Sequence, residues 1–301
     1  MLNGLAGKTA VLTGAGSGFG LECMRIAAKA GMQLVLVDVQ DDALTRAAEE
    51  AQRLGAKYVM ASRLDVSNAE AMEKLAANVQ STLGAPHFVF NNAGVGSGGL
   101  IWEQSVRDWE WVLGVNVWGV IHGVRLFTPM MLEAARNDPN WQGHIVNTAS
   151  MAGLLSPPNM GVYNVSKHAV VSLTETLYQD LRLVTDQVNC SVLCPYFVPT
   201  GIANSERNRV EGGNDADLTT SQKVARAMTQ KAVGSGKVTA KDIASKVFAA
   251  VADNQFYILS HPNALSGVQT RMEDILELRN PTDAFASRPE LGEQLRQALR
   301  A

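Results

Sequence analysis

Charge is scarce in this chain. Only 18% of its 301 residues are Asp, Glu, Lys or Arg, against roughly 25% in an average soluble protein. The 26 basic and 29 acidic residues nearly cancel to −3, which argues against nucleic acid or an acidic membrane surface as partner. Something other than charge must cover part of the surface, and a subunit interface is the first expectation. Cysteine is also scarce: Cys23, Cys190 and Cys194 make an odd set with no metal-type pairing. Cys190 and Cys194 share an apolar run that reads as a strand. Their Cα atoms should then stand roughly 13 Å apart, too far for a disulfide. Buried free thiols in a reducing, cytoplasmic compartment are expected. His87, His122, His144, His168 and His261 show no ligand spacing, so no metal is expected. Met1–Lys8 has no basic stretch followed by an apolar run, and no apolar stretch nears the roughly 20 residues of a membrane span. Neither a signal peptide nor a membrane helix is expected. A hydrophobic fraction of 46% excludes intrinsic disorder.

What is present alternates. Apolar runs at Thr9–Thr13, Gln33–Val39, Tyr58–Ala61, Phe88–Phe90, His144–Thr148, Val188–Cys194 and Phe256–Leu259 read as strands. Between them lie helical stretches at Gly18–Ala30, Asp41–Leu54 (capped by Asp41), Ser67 to Gly84, Ser105 to Ala135, Gly161–Val184 and Lys241–Ala252. Continuous apolar strands separated by helices predict an α/β fold with a doubly wound parallel sheet, a Rossmann fold, covered on both faces. Its ligand should lie at the carboxyl ends of the strands. One domain spans 1–301, with a core at about 5–200. A polar, hinge-rich segment at about 198–238, including Glu211-Gly-Gly-Asn-Asp, reads as a lid. A helical C-terminal extension follows at about 261–301, with breaks at Pro281 and Pro289.

Three groups of residues carry chemistry. Thr13-Gly-Ala-Gly-Ser-Gly-Phe-Gly20 lies between the first strand and the first helix. Gly14 can turn with φ > 0, Gly18 lets a pyrophosphate approach the backbone, and Gly20 lets helix pack on strand. The phosphates would face the free N–H groups of the helix N-terminus. Asp38 ends the second strand about twenty residues later, where a carboxylate accepts from ribose hydroxyls and repels a 2′-phosphate. No Arg or Lys stands at Ala15, Ser17, Val39 or Gln40 to receive such a phosphate, so NAD is preferred over NADP. Tyr163 and Lys167, four apart on a helix, share a face, and a cation beside a phenol favours the phenolate. Ser150, thirteen residues before Tyr163, follows a strand end and could bond a carbonyl oxygen.

With these residues in place the sequence resembles the short-chain dehydrogenases/reductases over roughly residues 5 to 200. The resemblance rests on TGAGSGFG at 13–20, Asp65-Val66, Asn91-Asn-Ala-Gly94, Asn116, Ser150, Tyr163-Asn-Val-Ser-Lys167, and Pro195 with Thr200. It implies Tyr163 as general acid/base, with Lys167 lowering its pKa and binding the nicotinamide ribose. Ser150 would orient the substrate oxygen, and Asn116 would hold the water of a proton relay. Gly14, Ser17, Gly18, Phe19, Gly20, Asp38, Asp65, Val66, Asn92, Ala93, Gly94, Pro195, Val198 and Thr200 would line the NAD site. Tyr196 replaces a glycine common in the family, and the C-terminal ending also departs from the family pattern.

Ser150, Leu154, Tyr163, Tyr196 and Trp102 are the expected substrate contacts. They predict a neutral, apolar secondary alcohol or its ketone. The helices at 105–135 and 161–184 are apolar on nearly all sides, and in the family such helices pair across a twofold axis, so a homodimer or homotetramer is expected. Two alternatives use the same cofactor turn: an NAD-dependent epimerase, or an NAD-sensing protein without catalysis.

Overall fold

The computed structural model describes residues 4–209 and 218–300; Met1–Asn3 and the Glu211-Gly-Gly-Asn-Asp stretch of the expected lid lie outside them. Among the described residues, strands β1 (Thr9–Thr13), β2 (Gln33–Asp38), β3 (Tyr58–Arg63), β4 (Phe88–Asn91), β5 (Gly143–Thr148), β6 (Val188–Cys194) and β7 (Tyr257–Leu259) form one sheet. Its order is β3-β2-β1-β4-β5-β6-β7 and every pairing is parallel. β1 thus has β2 on one side and β4 on the other. The chain winds away in both directions from this point, which opens a crevice at the carboxyl ends of β1 and β4.

Helices α1 (Gly18–Lys29), α2 (Asp41–Leu54) and α8 (Ala240–Asp253) cover one face of the sheet, where Met24, Leu44 and Val247 bury against Leu34, Phe88 and Phe90. α3 (Ala69–Leu83), α5 (Gly119–Asn137) and α6 (Gly161–Val184) cover the other, with Met72, Phe127 and Leu177 against Val35, Val89 and Ile145. The central strands are sandwiched and apolar on both faces, which is why they read as continuous runs, whereas the edge strands β3 and β7 are partly exposed. The long helix expected from about 105 to 135 is continuous but not uniform: α4 (Val106–Leu113) passes through a π turn, Gly114–Trp118, into α5. Cys23, Cys190 and Cys194 are free and buried. No helix of the described residues is long and apolar enough to cross a membrane.

Some local expectations change. Asp41 does not cap α2; Gln40 occupies the cap position without a side-chain bond, and Asp41 and Asp42 lie in the first turn. Negative charge there still favours the helix, through its dipole. α3 opens at Ala69, because Asn68 accepts from the Ala71 N–H. Ser67 turns back to donate its N–H and hydroxyl to Asp65, at 2.9 and 2.8 Å. Pro289 begins helix α10 (Pro289–Arg300), a position where its missing N–H costs nothing. Helices α7 (Thr220–Gly234) and α9 (Leu265–Leu276) complete the set.

His144 lies inside β5, with Nε2 2.7 Å from the Ser191 hydroxyl, which itself donates to the Gln255 carbonyl. Burial pushes this imidazole down to about 3. Between that value and an ordinary histidine near 6.5, the unfolded chain binds a proton that the folded one does not. Stability is therefore full above pH 6.5 and falls as pH drops toward 3, by about 1.4 kcal/mol per pH unit from this group. Urea denaturation at pH 7 and pH 5 should show a lower midpoint at pH 5, with the difference reduced in His144→Gln. Equal midpoints in the native sequence would contradict this.

Candidate active site

A cavity of about 840 Å³ occupies the crevice at the carboxyl ends of the strands. One end is formed by the glycine turn between β1 and α1. Gly18 has φ +53°, and a Cβ on Gly20 would stand 2.1 Å from the Gly14 carbonyl oxygen, so only glycine permits this closeness of turn and helix. Ser17 precedes the first turn of α1 without a side-chain cap bond, which leaves the N-terminal N–H groups to face the cavity. Thr13 fastens the turn to the end of β4: its hydroxyl accepts from the Asn92 and Ala93 N–H groups at 2.9 and 3.0 Å.

Asp38 closes the far end of the cavity. One carboxylate oxygen accepts from the Gly16 N–H at 2.8 Å, the other from the Gln40 N–H at 2.9 Å. A carboxylate has about four acceptor positions, so two remain for ligand hydroxyls. Asp65 and Val66 line the same end. Arg46 also reaches this rim, from the same side of α2 as Ala43. Arg46 is not adjacent to Asp38 in sequence, and its three-residue offset from Ala43 on a helix is the signal that places it at this rim.

The middle of the cavity joins α6, β5 and the segment after β6. Tyr163 lies in the first turn of α6, and the Lys167 ammonium stands 5.6 Å from its ring centre. Lys167 is buried and donates to the Thr148 carbonyl at 3.0 Å. Burial pushes its pKa down to about 8. Burial raises the Tyr163 phenol above its ordinary 10, while a hydrogen bond to the Ser150 hydroxyl works in the opposite direction. The expected lowering by Lys167 is not among the influences on the phenol, and burial dominates. Ser150 begins a 3₁₀ turn, Met151–Gly153, and its hydroxyl lies 3.3 Å from the Pro195 carbonyl. Gly94 packs where a Cβ would be 3.6 Å from the Lys167 ammonium and 3.3 Å from Asn116 Oδ1.

Four expected positions fall away from the cavity lining: Asn116, Trp102, Leu154 and Gly20, which packs against the Gly14 carbonyl. Asn116 sits in the π turn, accepts from the Val95 N–H at 2.8 Å, and donates to the Val95 carbonyl and the Ser166 hydroxyl. Its side chain therefore stitches the segment after β4 to α6. Trp102, expected as a substrate contact, does not line the cavity: it is 76% exposed on the 3₁₀ turn Ile101–Glu103. Ile101 packs on Gly161, and Ser221 holds the Leu100 N–H, so the turn sends the next side chain outward. Leu154 packs into a cluster with Val170 and Val171, and its neighbour Leu155 lines the cavity instead.

The expected lid supplies the remaining wall. A 3₁₀ segment, Gly201–Asn208, crosses the glycine turn, with Thr200 side-chain atoms 3.5 Å from where a Gly18 Cβ would stand. Arg209 then pairs with Asp108 of α4 and lies 4.6 Å above the Trp111 ring. Burial, the largest influence on Asp108, raises its pKa, but the hydrogen bonds from Arg209 and Ser105 outweigh it and hold the carboxyl below its ordinary value. This fastening was not legible in the sequence, because its two partners are 101 residues apart.

A parallel sheet wound from a glycine turn, with an acidic strand end and a Ser–Tyr–Lys group on one cavity, defines a dinucleotide-binding α/β protein. The profile of the short chain dehydrogenases matches residues 8–211, and the chain belongs to that family of oxidoreductases. It is 31% identical over 273 residues to a CLA biosynthesis dehydrogenase/reductase of Lactiplantibacillus plantarum, covering 89% of this chain and 93% of that one. It is 33% identical over 270 residues to 1-deoxy-11-beta-hydroxypentalenate dehydrogenase of Streptomyces exfoliatus, covering 89% and 88%. A crystal structure of a short chain dehydrogenase/reductase from Burkholderia phymatum in complex with NAD shares 53% identity and a TM-score of 0.88, covering 94% of this chain and 99% of that one.

Proposed function

We propose that the protein is an NAD-dependent alcohol dehydrogenase/carbonyl reductase that interconverts a neutral, apolar secondary alcohol and its ketone. The observation that carries this reading is the meeting of Tyr163, Ser150 and Lys167 on the cavity that Asp38 closes at its other end. The residues fit the cofactor: α1 presents free N–H groups to a pyrophosphate, and Asp38 keeps acceptor positions for the adenosine ribose. When bound, the nicotinamide supplies acceptance of the carbinol hydride. Tyr163 takes the hydroxyl proton, Ser150 orients the oxygen, and Lys167, held by Thr148, would bind the nicotinamide ribose and favour the phenolate. Asn116 would serve the relay by positioning, since its side chain ties the segment after β4 to α6 through Val95 and Ser166. Met151, Leu155, Met160 and Tyr196 form an apolar wall beside the reacting oxygen. The 53%-identical NAD complex and the dehydrogenases named above support the cofactor and the reaction type.

The test is a panel of apolar secondary alcohols with NAD, read as NADH absorbance. NADH formation supports the dehydrogenase. Bound NAD with no NADH across a broad panel would contradict it, in favour of an epimerase or a sensor.

The same reading includes a homodimer or homotetramer in the cytoplasm. Val106, Trp118, Val165, Leu183 and Val184 are exposed on the single chain, along α4 to α6. Their burial against a second copy would account for the low charge. Sedimentation should give a multiple of 32.3 kDa, and a mass of one chain would contradict the assembly.

A further inference from the structure

We propose that Tyr196 is a specificity-determining residue that selects secondary alcohols bearing a planar aryl group on the carbinol carbon, and that Ser260 and His261 position it. This inference rests on the alcohol dehydrogenase reading and names its substrate class.

The placement comes first. The carbonyl of Pro195, the preceding residue, accepts from the Met151 N–H at 2.9 Å and lies 3.3 Å from the Ser150 hydroxyl. The backbone of Tyr196 is therefore tied to the group that orients the reacting oxygen. Its side chain lines the cavity and is 38% exposed. A large ring here narrows the pocket one residue from the chemistry.

The ring is also held in one orientation. The Tyr196 N–H donates to the Ser260 hydroxyl at 2.8 Å, and Ser260 is buried. That oxygen is 2.7 Å from His261 Nδ1. Because Ser260 accepts from the Tyr196 N–H, its own hydrogen is free to go to His261. The His261 ring meets the Tyr196 ring edge-on, 5.9 Å between centres at 67°, and Phe197 packs beside it at 4.5 Å and 54°. Ser260 and His261 directly follow β7, where the C-terminal extension begins. The extension therefore shapes the pocket without entering it. α9 also backs the pocket: a Cβ on Gly267 would stand 3.4 Å from the Leu155 side chain, which lines the cavity.

The lining carries two kinds of side chain. Tyr196 and Phe197 are aromatic, and Met151, Leu155 and Met160 are aliphatic or thioether. Aromatic rings favour offset or edge-to-face partners, and methionine sulfur favours an aromatic ring. A flat aryl group gains ring–ring and sulfur–ring contacts from this lining, whereas a saturated ring of similar volume gains apolar burial alone. A preference of about tenfold is the expected size of such contacts.

The experiment compares kcat/KM for 1-phenylethanol and 1-cyclohexylethanol with NAD. The proteins are the native enzyme and the Tyr196→Phe, Tyr196→Leu, His261→Ala and His261→Asn variants. Intrinsic reactivity of the two alcohols cancels in the comparison between proteins. Tyr196→Phe should keep the native aryl preference. Tyr196→Leu should lower it about tenfold with the KM for NAD unchanged. His261→Ala should raise the KM for the aryl alcohol with little change in kcat, and His261→Asn, which keeps a polar partner for Ser260, should restore it. An unchanged preference in Tyr196→Leu, or a change confined to the KM for NAD, would overturn the proposal. A native enzyme that oxidises the cyclohexyl alcohol and not the aryl one removes this inference and leaves the dehydrogenase standing. No NADH from any secondary alcohol removes both.

Discussion

Tyr163→Phe should lower kcat for alcohol oxidation by 10²–10⁴-fold or more, the usual worth of a positioned general base, and leave the Kd for NAD within about twofold. The substitution removes one oxygen and keeps the ring, so the first turn of α6 and the seat of Lys167 are retained. Calorimetric NAD titration beside single-turnover kinetics separates the two effects, and retained turnover in the variant would defeat the assignment. The same residue sets the pH profile. Burial raises the phenol above its ordinary value, and Ser150 works against that rise. Oxidation needs the phenolate, so kcat/KM for the alcohol should climb with pH from the acid side, whereas ketone reduction, which needs the phenol, should decline at high pH. Ser150→Ala removes the hydrogen bond that favours the phenolate and should shift the oxidation profile to higher pH.

Asp38→Ala should move cofactor preference toward NADP, with the ratio of kcat/KM values for NAD and NADP falling by roughly 100-fold. A carboxylate about 5 Å from a 2′-phosphate, at an effective dielectric near 20, repels each unit of charge by about 3 kcal/mol, close to that factor. The variant also frees the Gly16 and Gln40 N–H groups, now bonded to Asp38, and Arg46 stands at the same rim. A 2′-phosphate would meet three donors in place of one anion. Steady-state kinetics with both cofactors measures the ratio, and an unchanged ratio would show that Asp38 does not choose between them.

The parts of the molecule legible in the sequence are those governed by local rules. β1, β6 and the bounds of α2 and α6 follow from apolar runs, Gly55 and Pro195, and the structure gives the same spans. Gly20 was readable because a close approach admits only glycine, and Asp38 because a strand end points to the crevice. What was not legible depends on distant partners. Trp102 was drawn toward the pocket by its place after a flexible glycine run, but Ser221, far along the chain, fixes the turn the other way. Leu154 and Leu155 both pack against the cluster that holds Val170, and only tertiary packing leaves Leu155 also lining the cavity. Asn116 was placed by resemblance, and its bonds to Val95 and Ser166 need a π turn that no spacing announces. Arg209 and Asp108 carry no sequence signal of each other.

The most direct measurement uses an apolar secondary alcohol deuterated at the carbinol carbon, incubated with the native enzyme and NAD, with mass analysis of the cofactor. Deuterium should appear in NADH in step with ketone formation, and Tyr163→Phe should abolish both. NADH without deuterium, or an altered alcohol with no NADH released, would contradict direct hydride transfer between the carbinol and the nicotinamide.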